Sequence, residues 1–358
     1  MRVCDLPTPA LVLDRKRLER NIARMADRAA NLGVTLRPHA KTHKCLEVAR
    51  RQVAAGACGL TVSTLAEADA FSTAGFDDLT WAVPLAPSRL ADVERVAARA
   101  RLGILVDALA AVAALDRRGG SFDVWIKVDC GYHRAGVDSQ SDEAARLARS
   151  IAEGGHVFRG LLTHSGQAYD CASRAELAVV AEHERRVMVE LAERMRGDGI
   201  EVPVVSVGST PAMSAAHDLA GVDEVRPGNY VFFDASQVAL GACALTDCAV
   251  TVIAEVISNG GGRHAVINAG ALALSKDLGP GDCGYGRIYE DYEAGALHDD
   301  TTVVELSQEH GEVTGSFDLG ERLRIQPNHS CLTSAAFGAY SVVEGDEVVD
   351  RWPVVRGW

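Results

Sequence analysis

The feature that most constrains the fold is an alternation of short β-branched runs with Ala-, Arg- and Glu-rich helical stretches. Eight runs are candidate strands, and several of them are continuously apolar, as expected of strands buried on both faces. They lie at 35–39, 58–62, 79–83, 103–106, 123–129, 157–163, 202–207 and 222–225. Eight such βα units within about 200 residues predict an α/β fold, a closed (β/α)8 barrel. An open doubly wound sheet is the alternative.

The pattern changes after residue 236. Long helical stretches disappear and short strand-like runs alternate with Gly- and Asp-rich turns, which predicts an all-β domain. These runs lie at 238–240, 249–258, 264–270, 302–313, 322–329 and 347–355. A further strand-like segment at 9–14 is expected to pair with them. The predicted domains are therefore a barrel over 15–236 and a β-strand domain formed by 1–14 and 237–358.

Net charge, hydropathy and cysteine content argue against several classes of protein. The net charge of -13 argues against a nucleic-acid-binding surface. No run reaches the roughly 18 apolar residues of a membrane span, and the first residues lack the apolar core of a secretory signal. The nine cysteines are odd in number and form no CxxC pair. We therefore expect a reducing cytoplasm and no disulfide framework.

The first candidate site is the basic segment Arg37–Lys44, at the end of the first predicted barrel strand. The C-terminal ends of barrel strands form the face where chemistry takes place. Lys41, partly desolvated there, would be a competent amine nucleophile or base. The alternative is a basic surface at a helix N-terminus, which the helix dipole disfavours.

Two turns form the second candidate site. The segment 206–211, which contains Gly208, Ser209 and Thr210, follows the seventh predicted strand, and the segment 226–230 follows the eighth. The loops after these two strands are the usual phosphate site of such barrels. Glycines let backbone N–H groups approach an anion, and hydroxyls add donors. Either turn alone could equally be an ordinary loop and helix cap.

The third candidate site is the pair His329 and Cys331. On a strand, residues i and i+2 face the same side, and imidazole with thiolate suits zinc. Two protein ligands would suit a catalytic metal whose other positions are held by water and substrate. The alternative is a buried cysteine beside a hydrogen-bonded histidine. Weaker candidates follow the fifth and sixth strands: His133, Arg134, His164, Gly166 and Tyr169.

Together these motifs resemble a known family, the fold-type III pyridoxal-phosphate (PLP) enzymes of the D-threonine aldolase and D-serine dehydratase group, which is related to alanine racemase. The resemblance covers nearly the whole chain. The segments that carry it are TPALVLD, RPHAKTHK, DCGYHRAGV, GLLTHSGQAYD, SVGSTP, VRPGNYVFFD, LSQEHG and PNHSC. It implies an alanine-racemase-type barrel with an appended β domain, and a homodimer.

The resemblance also implies roles for individual residues. Lys41 would carry PLP as a Schiff base, and His329 and Cys331 would bind Zn²⁺ or Mn²⁺. Arg134 and Tyr169 would lie near the cofactor ring and take part in catalysis. Arg226 occupies the place of the pyridine-facing arginine of alanine racemase. The remaining cofactor-binding residues would be His39, Gly208, Ser209, Thr210, Gly228, Asn229 and Tyr230.

One position bears on the reaction. In the family, His-x-Cys at the metal is typical of dehydratases and His-x-Asp of D-threonine aldolases, so Cys331 favours a dehydratase of β-hydroxy D-amino acids. The following segment, 332–340, departs from the proline-containing continuation of the family. The leading alternative is a D-threonine-type aldolase that releases glycine and an aldehyde. Further alternatives are an amino-acid racemase and a PLP-binding carrier protein without turnover.

Overall fold

A computed structural model describes residues 1–259, 264–279, 281 and 283–358 of the chain. The chain divides into two compact units. One, the β unit, comprises 1–24, 42–48 and 229–356, and the other, the barrel unit, comprises 25–41, 49–228 and 357–358. The domain limits predicted from the sequence, 15–236 and 237–358, stay a prediction. Within the described ranges, no helix is both long enough and apolar enough to cross a membrane.

The chain begins with strand β1 (Ala10–Asp14) and helix α1 (Arg15–Asn31). The strands that follow are β2 (Thr35–Leu36), β3 (Leu60–Val62), β4 (Asp78–Pro84), β5 (Arg101–Val106), β6 (Asp123–Asp129), β7 (Val137–Asp138), β8 (Val157–Leu162), β9 (Val205–Val207) and β10 (Glu224–Val225). The helices between them are α2 (Leu46–Ala54), α3 (Leu65–Thr73), α4 (Leu90–Ala97), α5 (Leu109–Arg118), α6 (Glu143–Glu153), α7 (Arg174–Gly197) and α8 (Thr210–Ala215).

The parallel strands follow one another in the order expected for a barrel. The hydrogen-bonded order is β2-β10-β9-β8-β6-β5-β4-β3, and the short β7 pairs with β6. Backbone bonds then join β2 to the neighbourhood of β3. The N–H of Cys58 donates to Leu36 O at 2.9 Å, and that of Thr61 donates to Pro38 O at 2.9 Å. These bonds close the ring, so the predicted (β/α)8 barrel is confirmed.

A cluster of charged side chains fills the barrel at the end where its strands begin. We call it the Arg37 cluster: Arg37, Asp78, Arg101 and Glu224. Arg37 Nε lies 2.5 Å from Glu224 Oε2, and its Nη1 lies 2.9 Å from Asp78 Oδ1. Asp78, Arg101 and Glu224 start strands β4, β5 and β10. Arg37 is therefore a buried structural residue at the end of the barrel opposite the strand C-termini, and not part of an exposed basic surface.

The β unit is built on one extended sheet. Its strands are β1 together with β11 (Val250–Ser258), β12 (Ala265–Ile267), β13 (Gly286–Asp291), β14 (Ala296–Leu306), β15 (Gly311–Val313), β16 (Arg322–Pro327), β17 (Ala339–Glu344) and β18 (Glu347–Pro353). The order is β12-β15-β14-β13-β16-β11-β1-β17-β18. β1 pairs antiparallel with β11 and parallel with β17. The predicted pairing of the N-terminal segment with the C-terminal strands is confirmed.

Three strand predictions in this unit are wrong. The run 302–313 is not one strand, because residues 307–310 form the turn between β14 and β15. Residues 238–240 do not form a strand, because helix α9 (Ala235–Ala239) covers most of them and is capped by the Asp234 carboxylate. The strand predicted over 322–329 ends at Pro327, and His329 caps α11 (Ser330–Ala336). The carboxylate of Asp234 accepts the backbone N–H of Ser330 at 2.9 Å, which fixes the start of this helix. His329 and Cys331 therefore do not share a strand face. A third short helix of the unit is α10 (Ala271–Leu274).

Candidate active site

The segment that carries Lys41 leaves the barrel between two strands. The backbone N–H of Ala40 donates to Thr61 O at 2.7 Å, and that of His39 donates to Pro227 O at 3.0 Å. The N–H of Lys41 reaches His39 Nδ1 at 3.4 Å. These bonds hold Lys41 just after the C-terminal end of β2, the face at which barrel enzymes place their chemistry.

Positive charges surround the histidine that follows β8. Burial lowers the pKa of His164 well below its usual value, and the charges of Lys41, Lys127, Arg134 and Arg226 lower it further. We call these four residues the cation cluster. His164 therefore stays neutral within a positively charged environment. It was only a weak candidate from the sequence, because a histidine in a Gly-rich loop is also a common surface residue.

Arg226 is buried with few compensating partners. Its guanidinium donates to the hydroxyl of Ser206 and to the carbonyl oxygen of Thr163, both of them neutral acceptors. Burial lowers the pKa of Arg226 to about 10, although the carboxylates of Glu224 and Glu184 partly oppose this. A buried cation without a close ion-pair partner is costly. An anionic or electron-rich ligand would offset that cost.

Lys127 adds a second buried cation to the interior. It lies on β6 with 6% of its surface exposed, and its Nζ donates to the carbonyl oxygen of Val128 at 3.2 Å. Burial lowers its pKa to about 8. PLP carries an anionic phosphate and a phenolic oxygen, so a cluster with excess positive charge fits this cofactor.

The turn after β9 has the backbone conformation that a glycine requires. Gly208 has φ of +103°, in the left-handed region that other residues avoid. Ser209 caps α8, its hydroxyl oxygen accepting the N–H of Ala212 at 3.3 Å. Thr210 is fully buried, and Gly208 donates its own N–H to the carboxylate of Glu184 at 3.2 Å. The roles predicted for Gly208, Ser209, Thr210 and Gly228 at the phosphate stay predictions.

Arg134 and Tyr169 lie in loops at the strand C-termini with substantial exposure. Arg134 sits over the ring of Tyr132, with Cζ 5.2 Å from the ring centroid. Tyr169 is 41% exposed, and its ring centroid is 6.3 Å from that of His164. The ring of Tyr132 meets His164 edge-on at 6.0 Å. His164 therefore lies between two tyrosines, one of which, Tyr132, the sequence did not single out.

The metal motif belongs to the β unit. His329 Nδ1 lies 2.6 Å from Asp277 Oδ2, a contact that leaves Nε2 as the nitrogen available to a metal. The Sγ of Cys331 lies 3.2 Å from the hydroxyl of Thr42. Asp277 was not identified from the sequence, because 52 residues separate it from His329.

The electrostatics at His329 suit a bound cation. Burial lowers the pKa of His329, but Cys331 and the carboxylates of Asp234 and Asp277 raise it more strongly, to about 10. Imidazole and thiolate are ligands that zinc favours. Over the described ranges, no group of three or more His, Cys, Asp or Glu side chains is arranged to hold a metal ion. The metal-binding roles predicted for His329 and Cys331 stay predictions.

Asn229 and Tyr230 also belong to the β unit. Asn229 Nδ2 donates to Asp234 Oδ2 at 2.6 Å and to Ser330 Oγ at 3.1 Å, and it lies 3.9 Å from Cys331 Sγ. Asn229 Oδ1 is buried and has no hydrogen-bond partner among the described residues. Tyr230 is fully buried. The structure therefore links Asn229 to the segment of the metal motif, a connection that its predicted phosphate role did not anticipate.

Comparison with known families agrees with this arrangement. Residues 13–236 match the model of the alanine racemase N-terminal domain, and residues 249–343 match that of a putative serine dehydratase domain. D-threo-3-hydroxyaspartate dehydratase of Delftia sp. (strain HT23) is 41% identical over 99% of this chain and 98% of its own length. Its solved structure superposes with a TM-score of 0.95 at 40% identity, covering 100% of both chains.

Two further relatives extend the range of activities. D-serine dehydratase of Dictyostelium discoideum is 32% identical over 99% of this chain and 98% of its own length. D-threonine aldolase of Arthrobacter sp. is 32% identical over 98% of this chain and 93% of its own length. A solved variant of D-threo-3-hydroxyaspartate dehydratase is described as its metal-free form.

The barrel, the lysine at its C-terminal face and the appended β unit define a fold-type III PLP enzyme. The chain belongs to the alanine racemase N-terminal domain family, in the group that contains the D-serine dehydratases, D-threo-3-hydroxyaspartate dehydratase and D-threonine aldolase. It is a PLP-dependent lyase that uses a divalent metal and acts on a small amino-acid substrate. The resemblance inferred from the sequence motifs is confirmed.

Proposed function

We propose that this lyase is a dehydratase of β-hydroxy D-amino acids and that Cys331 is the residue that carries the assignment. A thiol at this position is the family feature that favours dehydration. D-threo-3-hydroxyaspartate would give oxaloacetate and ammonia, and D-serine would give pyruvate and ammonia. The 41% identity to D-threo-3-hydroxyaspartate dehydratase over nearly the whole of both chains supports the first substrate.

The proposed reaction needs both a cofactor and a metal. When bound, PLP supplies an electron sink and the metal supplies a Lewis acid. Lys41 would hold the cofactor until the substrate takes its place. The amine Nζ, then free, would remove the proton from the substrate α-carbon. His329 and Cys331 would hold the metal, and Asp277 would orient the imidazole by accepting a hydrogen bond from its Nδ1–H. The departing β-hydroxyl leaves as water, and a later hydrolysis consumes one water and releases ammonia.

Other cofactor contacts follow from the charges described above. Arg226 would face the pyridine side of the cofactor ring, and Arg134 and Tyr169 would lie beside the ring and substrate. Neutral His164 would lie against the ring without adding charge. His39, Gly208, Ser209, Thr210, Gly228, Asn229 and Tyr230 complete the proposed cofactor-binding set.

A D-threonine-type aldolase is the second candidate, because an aldolase of that kind is 32% identical over 98% of this chain. It would use the same residues but cleave the Cα–Cβ bond, releasing glycine and an aldehyde. The dehydratase and aldolase relatives of 32–41% identity support these two reactions over the racemase and carrier-protein alternatives.

A product assay separates dehydration from aldol cleavage. Purified protein would be supplied with PLP and Zn²⁺ or Mn²⁺ and offered D-serine, D-threonine and D-threo-3-hydroxyaspartate separately, while keto acid, ammonia and glycine are quantified. We expect keto acid and ammonia in equal amounts without glycine, and loss of activity on chelation. Glycine with aldehyde would assign the aldolase reaction instead.

We also propose a cytoplasmic homodimer. All nine cysteines are free thiols, which supports a reducing compartment. The resemblance supports the dimer, and light scattering would detect it as a mass of about twice 38.0 kDa. The chemistry of the substrate requires no nucleic-acid or membrane partner, and we propose none.

A further inference from the structure

A buried glutamate on the longest helix contacts the predicted phosphate turn from behind. Glu184 lies in the middle of α7 and is 1% exposed. Its Oε1 accepts the backbone N–H of Gly208 at 3.2 Å and that of Ser165 at 3.0 Å. A single carboxylate oxygen thus joins the loop after β9 to the loop after β8.

The bond to Gly208 decides which donors the turn can offer to an anion. With φ of +103°, Gly208 adopts a conformation in which its N–H meets Glu184. That N–H is already engaged and is not available to a phosphate oxygen. The carboxylate instead fixes the conformation in which the next two residues, Ser209 and Thr210, present their groups.

Keeping a carboxylate at this place is costly, which argues for a specific role. Burial raises the pKa of Glu184, while hydrogen bonds from Gly208 and Ser165 and the charges of Arg226 and Lys127 oppose the rise. An apolar side chain would fill the same space without a desolvation cost. Only an acceptor, however, can satisfy two buried N–H groups whose positions set the shape of two loops.

We propose that Glu184 is a positioning residue that shapes the Gly208–Thr210 turn for the cofactor phosphate. The inference rests on the proposed function, because it assumes that this turn binds the phosphate of PLP. It assigns the backbone N–H of Gly208 to Glu184 and leaves phosphate binding to the rest of the turn and to the loop after β10. It also explains a glutamate that the reaction itself does not use.

The test compares PLP with pyridoxal, which has the same ring but no phosphate. Dissociation constants of both would be measured by absorbance and fluorescence for the full-length cofactor-free chain, as wild type, Glu184→Ala, Glu184→Gln and Glu182→Gln. Glu182 is the matched control, because it lies on the same helix and pairs with Arg185 at 2.6 Å on the exposed side. The ratio of the pyridoxal constant to the PLP constant measures phosphate selectivity.

We expect Glu184→Ala to lower this ratio by about tenfold or more through weaker PLP binding, with pyridoxal binding changed less than about threefold. Glu184→Gln keeps an acceptor oxygen and should recover most of the ratio, while Glu182→Gln leaves it unchanged. A parallel loss of both affinities would overturn the inference, since it would show only general destabilisation; so would an unchanged ratio in both Glu184 variants.

A different result would reject the phosphate assignment itself. If the wild-type chain binds pyridoxal as tightly as PLP, no phosphate site exists at this turn, and both the inference and the proposed cofactor contacts fail. Inorganic phosphate provides an independent check, because it should compete with PLP in the wild type and compete about tenfold less well in Glu184→Ala. Thermal unfolding of each variant identifies any that do not fold.

Discussion

Two buried arginines of the barrel have opposite electrostatic environments. Arg37 lies among carboxylates: although burial lowers its pKa, Glu224 and Asp78 raise it more, so the net change is upward. Arg226 has neutral hydrogen-bond acceptors, and burial lowers its pKa to about 10. Both side chains are at least nine-tenths buried by surface area.

The difference separates a structural charge from a binding charge. The Arg37 cluster is internally balanced, as expected for a buried network that needs no ligand. The cation cluster around His164 carries an excess of positive charge that its own residues leave uncompensated. We infer that the first region holds the barrel together, and that the second gains its full stability only when an anionic cofactor binds.

The largest effect is expected from Lys41→Ala, which should abolish function without affecting the structural Arg37 cluster. Removing the amine takes away the cofactor attachment and the proposed base, so turnover should fall by about 10³-fold or more. The midpoint of thermal unfolding of the cofactor-free protein should hardly change. Turnover and the absorbance of lysine-bound PLP provide the measurement, with the exposed Lys16→Ala as control. Substantial remaining turnover would exclude Lys41 from the proposed role.

Arg37→Leu should act mainly on stability. It leaves Glu224 and Asp78 buried without their shared partner, which costs about 3–5 kcal/mol of the free energy of unfolding. Arg101→Leu is the control, because Arg101 pairs with Asp78 from a side chain that is 49% exposed and should contribute about 1 kcal/mol or less. Urea unfolding of the cofactor-free proteins measures both. Equal losses would contradict a special role for the buried arginine.

Arg226→Met should give the opposite pattern. Loss of a poorly compensated buried charge should cost less stability than Arg37→Leu, while PLP affinity should fall by about 10- to 100-fold. The two measurements are urea unfolding without cofactor and titration with PLP. If Arg226→Met lost much stability and kept its PLP affinity, Arg226 would be a structural residue like Arg37, and the proposed difference between the two would be wrong.

The His329–Asp277 pair tests whether a charge with a close partner is always structural. Here a carboxylate partner is expected to serve function by orienting a metal ligand. Asp277→Asn should weaken metal binding by about 10- to 100-fold and leave PLP binding unchanged. Competition with a chromophoric chelator measures the metal affinity. Unchanged metal affinity would mean that the contact is merely structural.

The smallest effect concerns Lys127 and pH. Its pKa is lowered to about 8 by burial, so between pH 8 and about 10.5 the unfolded chain binds a proton that the folded chain has lost. The unfolded state binds more protons in this window, and the contribution of Lys127 to the free energy of unfolding therefore rises with pH. Lys127→Met should flatten this part of the unfolding profile. An identical profile in the variant would rule out the lysine as the source.

Much of the barrel could be predicted from sequence because its strands are buried on both faces. Buried parallel strands appear as continuous apolar runs, such as those that became β5 and β6, and helices separate them at regular intervals. The pairing of β1 with the C-terminal strands also followed from its strand-like composition. Local patterns were sufficient because the same residues determine both local conformation and burial.

The site was only partly predictable, because the residues that contact its functional side chains lie far from them in the sequence. Asp277 contacts His329 across 52 positions, and Asp234 caps the α11 helix across 96. Nothing in the local pattern marks either residue. Glu184 is also hidden, because α7 contains several glutamates and only the fold shows which of them is buried. The placement of His329 and Cys331 on a strand was wrong for the same reason, since the helix start is fixed by Asp234.

The position of β1 in the sheet has a consequence for biosynthesis. This strand precedes all the barrel strands in the sequence, yet its neighbours are β11 and β17, and the partner of Asp14, Val343, lies more than 320 residues further on. At about 5–20 residues per second, tens of seconds separate the emergence of these strands from the ribosome. The central sheet of the β unit can therefore assemble only after β17 has been synthesised, whereas the barrel strands have by then all been synthesised.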